Sequence, residues 1–154
     1  MDKITHRTFA DHRGSYTPVA HDTLGMEWTQ SCVSVNDNKF TFRGMHYQTD
    51  PPQTKYVKVV RGSIIDFAVD LNTGELDSAT LGPDDAVLIG PDKAHGFLTL
   101  EDDTIVVYLV QGLYNPVSER SMVWSTHEEL RVMVESLCGS ADALTISDKD
   151  RVGK

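Results

Sequence analysis

The chain has 154 residues, of which 40% are hydrophobic, and it carries 23 acidic against 14 basic side chains. This length fits one domain, and the apolar content suffices for a buried core without disulfides or a structural metal. The net charge of −9, with no basic run, argues against nucleic acid or an anionic membrane as the main partner. An anionic small molecule would need a local cluster of Arg and Lys.

The start of the chain, MDKITHRTFADHRG, lacks the apolar stretch of a secretion signal. No later window approaches the roughly 18 consecutive apolar residues that would span a membrane. The two cysteines, Cys32 and Cys138, are far apart and have no partner at metal-like spacing. We therefore expect reduced cysteines and a cytoplasmic location.

Short segments rich in β-branched and aromatic residues are separated by Gly, Pro, Asn and Asp. In chain order they are 28–35, 40–48, 55–61, 63–71, 85–89, 96–100 and 104–111. Many short strands with close turns predict an all-β sandwich or barrel. No repeat or linker interrupts the chain, so we expect a single domain over residues 1–154, with 139–154 as a small, polar tail.

The segment 125–137 admits two interpretations. Ser125 and Glu128 form the pattern of a capping box, which predicts a helix that runs to about Leu137 and ends at Gly139. Yet Leu130, Val132 and Val134 also alternate with the period of a strand. We favour the helix.

Several motifs together resemble one family. They are FADHRG at 9–14, RGMHYQ at 43–48 with QTK at 53–55, AHGF at 94–97 followed by Tyr108, YNP at 114–116 with Glu119, and ISDKD at 146–150. In order and spacing they resemble the dTDP-4-dehydrorhamnose 3,5-epimerases. The resemblance implies an all-β, cupin-type jelly-roll barrel with one or two short C-terminal helices, the tail packing back on the barrel. It also implies a homodimer and a nucleotide-diphosphate sugar as substrate.

The chain departs from the family pattern at a few positions. The family's Gln-x-Asn-x-Ser pattern begins at Gln30, but Cys32 stands where Asn is usual, and Leu113 replaces a residue that is usually polar or aromatic. The chain also begins close to the FADHRG motif, whereas the family usually has an additional N-terminal strand. These departures concern the nucleotide and the sugar more than the reaction type.

Epimerising a carbon beside a ketone requires a base on one face, a proton donor on the other and a cation for the enolate. The family positions assign the base to His46, oriented by Asp150, and the donor to Tyr108. Each has a plainer alternative: a hydrogen-bonded barrel histidine, a tail carboxylate and a half-buried barrel tyrosine. Tyr114 is a second-choice donor or a stacking surface. If Asp150 lies in a free tail, another acid must orient His46.

The predicted cations and polar contacts complete the site. Lys55 and Arg43 would stabilise the enolate oxygen, unless they lie on a solvated strand edge. Arg13 would clamp the diphosphate or else pair with Asp11 in a turn. His95 is either a polar group of the cavity or a structural histidine at a turn. The remaining substrate-binding residues that the resemblance implies are Gln30, Gln48 and Lys149.

Regular alternation would place Arg43 and His46 on opposite faces of their strand. Both can reach one cavity only if the strand is bent or bulged, and Gly44 is the plausible position. The sequence therefore predicts a bulge or a bend at Gly44.

We expect no metal and no other cofactor. Many cupins bind a metal through a His-x-His pair, but here the corresponding stretch is His46, Tyr47 and Gln48. The missing second histidine also argues against the related sugar-nucleotide ketoisomerases. The other histidines, His6, His12, His21 and His127, lie outside this strand.

The leading hypothesis is an isomerase that epimerises C3, C5 or both of a nucleotide-diphospho-4-keto-6-deoxy sugar through an enolate, as in dTDP-rhamnose and polysaccharide biosynthesis. Two alternatives stay open: a single-site 3- or 5-epimerase, and a non-catalytic cupin that binds a sugar nucleotide.

Overall fold

The computed structural model describes residues 1–5, 7–17 and 25–153. The strands in these ranges are β1 (Asp2–Thr5), β2 (Phe9–Asp11), β3 (Gly14–Tyr16), β4 (Gln30–Asn36), β5 (Phe42–Gln48), β6 (Thr54–Arg61), β7 (Ile64–Asp70), β8 (Leu76–Leu81), β9 (Asp85–Ile89), β10 (Lys93–Thr99), β11 (Thr104–Gln111) and β12 (Glu119–Ser121). The α-helices are α1 (Glu128–Cys138) and α2 (Asp148–Val152), and single 3-10 turns occur at Trp124–Thr126 and Ala141–Ala143.

The strands form two five-stranded antiparallel sheets. The first has the order β1-β9-β6-β11-β4 and the second β12-β5-β10-β7-β8, while β2 and β3 pair as a separate hairpin. The predicted all-β architecture with short C-terminal helices is therefore confirmed. The seven predicted strands correspond to β4–β7 and β9–β11. The missed strands are short or, like β8 with the sequence LDSATL, too polar to stand out as strands.

Two apolar clusters stabilise the fold. One lies between the sheets, where Val57 and Val106 of the first sheet meet Ile64 and Phe97 of the second. The other lies on the opposite face of the second sheet, which α1 covers. Burial of apolar surface on both faces fixes the second sheet between the barrel interior and the helix.

Helix α1 confirms the helical interpretation of the segment 125–137. Leu130 and Val134 are buried four residues apart, on one face of the helix. The cap differs from the prediction, because Nδ1 of His127 accepts the hydrogen bond from the Leu130 N–H at 3.3 Å, while Ser125 lies in the preceding 3-10 turn. Gly139 ends the helix as expected, with a φ of 87° that glycine adopts readily.

The predicted bulge is present at Gly44. In the pairing of β5 with β10, His46 lies opposite His95 and Arg43 opposite Phe97, so β5 has one more residue than its partner over this stretch. A Cβ on Gly44 would lie 2.6 Å from the Cα of Gly96, which is closer than atoms can approach. The bulge turns Arg43 and His46 toward the same cavity.

The segment after α1 returns to the barrel. Thr145 exchanges backbone hydrogen bonds with Phe40 and Phe42, at 3.0 and 2.9 Å. Ser147 then caps α2 by accepting from the Asp150 N–H, and Asp150 is buried. Within the described residues, no helix is long and apolar enough to cross a membrane.

Candidate active site

A cavity of about 430 Å³ opens between the two sheets. Its polar lining comes from six elements or their flanks and comprises Ser34, Arg43, His46, Lys55, His95, Tyr108, Ser147, Lys149 and Asp150. The apolar lining is Val33, Phe97 and Val110. The structure thus brings seven of the sequence-predicted residues together at one place.

His46 forms the shortest polar contact of the cavity. Its Nε2 lies 2.6 Å from Oδ1 of Asp150, whose Oδ2 accepts the Gly44 N–H at 3.1 Å. Burial by itself would raise the pKa of Asp150, but the hydrogen bond and charge of His46 and the Gly44 N–H outweigh it, so the pKa lies below its ordinary value. An ionised Asp150 accepts the Nε2 proton, which leaves Nδ1 of His46 as the basic nitrogen.

Tyr108 belongs to the sheet opposite His46 and lines the same cavity. Burial raises the pKa of its phenol to about 12, although a hydrogen bond with Ser34 and the charge of Arg43 act in the other direction. The phenol therefore stays protonated at neutral pH. It can act as a proton donor only to a strongly basic atom such as an enolate carbon.

Asp66 and His95 form a buried polar pair beside these residues, and half-buried Lys55 lines the same cavity as His95. Nε2 of His95 lies 2.8 Å from Oδ2 of Asp66, and both side chains are buried. Burial lowers the pKa of Lys55, and the negative charges of Asp66 and Glu119 oppose this shift. Burial also raises the pKa of Asp66, while His95 and Lys55 favour its ionised form.

Arg43 and Lys149 are the exposed cations of the cavity lining. Nε of Arg43 donates to Oδ1 of Asn36 at 2.7 Å, which directs the guanidinium along β4. Lys149 contacts Oε1 of Glu119 at 3.3 Å, and the hydroxyl of Tyr114 donates to Oε2 of the same carboxylate at 3.2 Å. Glu119 therefore holds Lys149 and Tyr114 close to each other.

Besides Tyr114, which is not part of the cavity lining, three predicted substrate-binding residues lie outside the cavity of this chain. Arg13 is exposed on the β2–β3 hairpin and pairs with Asp11 at 2.5 Å, the alternative that the sequence had left open. Gln48 is buried and uses its amide on the loops, donating to the carbonyls of Pro51 and Leu113 and accepting the Asn115 N–H.

The third of these residues, Gln30, is exposed at the start of edge strand β4, beside a separate depression that Trp28 lines. The placement of all three depends on tertiary structure. A strand pattern gives the side of the sheet on which a residue lies. It does not show which loops form hydrogen bonds with a side-chain amide or against which surface a hairpin packs.

Sequence reasoning missed Ser34, Ser147 and Asp66. Ser34 and Ser147 gave no sequence signal beyond membership of family motifs. Asp66 carried a usable one, because an acidic residue in the middle of the apolar strand IIDFAVD, in step with Ile64 and Ala68, must face the barrel interior. A carboxylate placed there needs a buried partner.

Among the residues that the structure describes, no group of three or more His, Cys, Asp and Glu side chains is arranged to hold a metal ion. His12 is exposed, and His127 caps α1 while its Nε2 lies 2.7 Å from the Gly74 carbonyl. His6 and His21 lie outside the described residues.

Proton carriers on two facing sheets of a jelly-roll barrel, with cations in the lining of the same cavity, define a cupin equipped for acid–base chemistry at carbon. The family model described as dTDP-4-dehydrorhamnose 3,5-epimerase matches residues 2–154, so the chain belongs to that family.

Individual relatives agree with this membership. The chain is 31% identical over 160 residues to the dTDP-4-dehydrorhamnose 3,5-epimerase of Methanothermobacter thermautotrophicus, covering 96% of this chain and 85% of that protein. It is 38% identical over 119 residues to the epimerase of the same name from Mycobacterium tuberculosis H37Rv, but spans only 56% of that relative's length.

A solved structure shares the cupin barrel. The dTDP-4-dehydrorhamnose 3,5-epimerase of Bacillus anthracis, crystallised with TDP and PPi bound, superposes with a TM-score of 0.80 at 30% identity. The superposition covers 97% of this chain and 90% of the other. The predicted cupin-type jelly-roll fold is thereby confirmed.

Proposed function

We propose that this protein epimerises C3, C5 or both of a nucleotide-diphospho-4-keto-6-deoxy sugar, of the kind that dTDP-4-dehydrorhamnose 3,5-epimerases convert. The observation that carries the proposal is the presence of His46 and Tyr108 on facing sheets of one cavity, the first bonded to a buried carboxylate. Membership of the epimerase family supports the same reaction class.

The residues suit a two-step proton transfer. Nδ1 of His46 removes the proton from the carbon beside the ketone, and the C–H electrons move to the carbonyl oxygen to form an enolate. Asp150 stabilises the imidazolium, while Lys55 places positive charge near the enolate oxygen and Arg43 lies toward the solvent side of the cavity. Tyr108 then protonates the carbon from the other face. The imidazolium returns its proton to water, and the tyrosinate takes one from water.

The test is isotope exchange. The protein is incubated with dTDP-4-keto-6-deoxyglucose in deuterated water, and NMR follows deuterium entry and inversion at C3 and C5. We expect His46→Ala to abolish exchange and His12→Ala, an exposed histidine on the hairpin, to leave it unchanged. Absence of exchange in the wild-type protein with every nucleotide form would refute the enzymatic proposal.

The isotope-exchange assay, together with calorimetry, separates the remaining alternatives. Exchange at one carbon only would identify a single-site 3- or 5-epimerase. Calorimetric binding of the sugar nucleotide without exchange would identify a non-catalytic binder. A protein that exchanges at full rate in the presence of a strong chelator would support the proposed independence from metals and other cofactors.

We propose that the nucleotide end of the substrate lies toward Arg43 and Lys149. The chain carries a net charge of −9, so a diphosphate needs local cations, and these two side chains lie at the cavity. The relative from Bacillus anthracis was crystallised with TDP. Titration calorimetry with dTDP, UDP and GDP would rank the bases, and Lys149→Gln should weaken all of them.

We propose a homodimer that forms through the outer face of the first sheet. Val35 on edge strand β4 is 58% exposed and lies opposite Ile105 of β11, and the neighbouring Val33, which also borders the cavity, is 67% exposed. Such an apolar strip at a sheet edge suits a second copy of the chain. Light scattering should give a dimer for the wild type, a monomer for Val35→Lys and a dimer for the α1 variant Val132→Lys.

We further propose that residues 1–154 act as one domain in the cytoplasm. Contacts between the C-terminal segment and β5 support the single domain. Cys32 and Cys138 are free thiols, which suits a reducing compartment. Fractionation of the producing cell would test the location, and limited proteolysis would test the domain by the absence of an internal stable fragment.

A further inference from the structure

Asn36, the last residue of edge strand β4, is a buried amide that the proposed mechanism does not use. Its side chain is 2% exposed. Nδ2 donates to the Thr104 carbonyl and to Oγ of Ser34, both at 3.0 Å. Because these bonds use both N–H groups of the amide, its orientation is fixed and Oδ1 is the atom presented to Arg43.

The bond from Arg43 to this amide restrains an exposed cation of the cavity lining. Nε of Arg43 donates to Oδ1 of Asn36 at 2.7 Å, and Nη2 lies 3.4 Å from the Val35 carbonyl. A guanidinium has five N–H donors in a planar fork, so the two contacts fix its plane and leave the donors of Nη1 for a ligand. Restraint in the free protein removes freedom that ligand binding would otherwise have to remove.

The partner of Arg43 is neutral, unlike that of the other exposed cation of the lining. Lys149 contacts the carboxylate of Glu119 at 3.3 Å, which offsets its charge. An amide oxygen holds the guanidinium of Arg43 but leaves its whole charge available to an anion. In a chain with a net charge of −9, this retained local charge favours the binding of a diphosphate.

We propose that Asn36 is a positioning residue for nucleotide binding, which holds the Arg43 guanidinium in the orientation that meets the diphosphate of the substrate. This inference rests on the proposed function, and in particular on the placement of the nucleotide end toward Arg43. Asn36 is not among the described residues that line the cavity, so it acts through Arg43 and not on the ligand.

The test is a double-mutant cycle measured by titration calorimetry with dTDP. Asn36→Ala should raise Kd roughly two- to tenfold, the effect of freeing one arginine side chain before binding. In an Arg43→Gln background the same replacement should have no further effect, because the guanidinium that Asn36 positions is absent. An equal loss in both backgrounds would overturn the proposal, because Asn36 would then act through the fold.

Asn38→Ala is the matched control. Asn38 is exposed two residues further along the chain, and the hydroxyls of Thr41 and Thr99 donate to its backbone carbonyl. This variant should bind dTDP as the wild type does. In the exchange assay, the loss in Asn36→Ala should appear in KM more than in kcat, and an unchanged KM in the folded variant would also overturn the proposal.

A second measurement uses the wild-type protein and remains decisive if Asn36→Ala does not fold. In protein with 15N-labelled arginine, the Nε–H signal of Arg43, assigned by its loss in Arg43→Gln, should exchange slowly with water before dTDP is added. The Nε–H of Arg61, exposed at the end of β6, is the internal reference. Exchange of Arg43 as fast as that of Arg61 would show an unrestrained guanidinium and overturn the proposal.

The failure of this inference is distinguishable from the failure of the proposed function. A wild type that binds dTDP but shows no isotope exchange would refute the epimerase function alone, and the cycle would still measure the role of Asn36. A wild type that does not bind dTDP would overturn the role of Asn36, and the exchange assay would then judge the epimerase by itself.

Discussion

Replacing Asp150 with Asn tests the link between the C-terminal helix and the chemistry. The carboxylate accepts from Nε2 of His46 at 2.6 Å and from the Gly44 N–H at 3.1 Å. An amide oxygen can keep one of these bonds but carries no charge to stabilise the imidazolium. A hydrogen bond between charged groups contributes about 2 kcal/mol, so kcat should fall roughly 30-fold.

The loss of folding stability should be smaller than the loss of activity. One neutral hydrogen bond contributes about 1 kcal/mol, which lowers Tm by about 2–4 °C in a chain of this size. Exchange kinetics by NMR and thermal unfolding by circular dichroism measure the two effects separately. Asp148→Asn is the matched control, because Asp148 is exposed in the same helix and should retain both properties.

A kcat for Asp150→Asn within twofold of wild type, in a folded protein, would contradict the reasoning. It would mean that His46 acts without its carboxylate partner, or that another group is the base. A fall in kcat shared equally by Asp148→Asn would also contradict it, because the effect would then belong to the helix rather than to the contact.

Three further results are expected. Tyr108→Phe should lose at least about 100-fold in inversion while deuterium still enters on the His46 face, and Tyr47→Phe, outside the cavity, should behave as wild type in the same NMR assay. Gly44→Ala should destabilise the fold by about 3 kcal/mol, because the φ of Gly44 is 125° and a Cβ there would meet the β10 backbone. Gly90→Ala is the control, because a Cβ at Gly90 meets nothing within 4 Å. Urea unfolding compares the free energies of unfolding of the two variants. The pKa of Asp150 is lower in the folded state than in the unfolded state, so its ionised form stabilises the fold above about pH 4. This stabilisation is lost as pH falls through the folded-state pKa. Urea unfolding at decreasing pH should therefore show a steeper loss of stability for wild type than for Asp150→Asn.

The sequence by itself determined the secondary structure of the barrel and the need for a bulge. Short alternating strands between turn residues predicted β4–β7 and β9–β11, since a half-buried strand must alternate. The same alternation implied that Arg43 and His46 could share a cavity only through an irregularity at Gly44. In segment 125–137 the apolar residues fit both a helical and a strand period. The packing of Leu130 and Val134 on the second sheet decides for the helix.

Only the tertiary structure decided which polar residues meet. The contact of Asp150 with His46 joins residues 104 positions apart, and that of Asp66 with His95 joins two strands. No local preference encodes such distances, because they depend on how the sheets face each other and how the C-terminal segment returns. For the same reason Arg13 and Gln48 lay elsewhere, since a residue's type shows what it can bind and only the fold shows what it reaches.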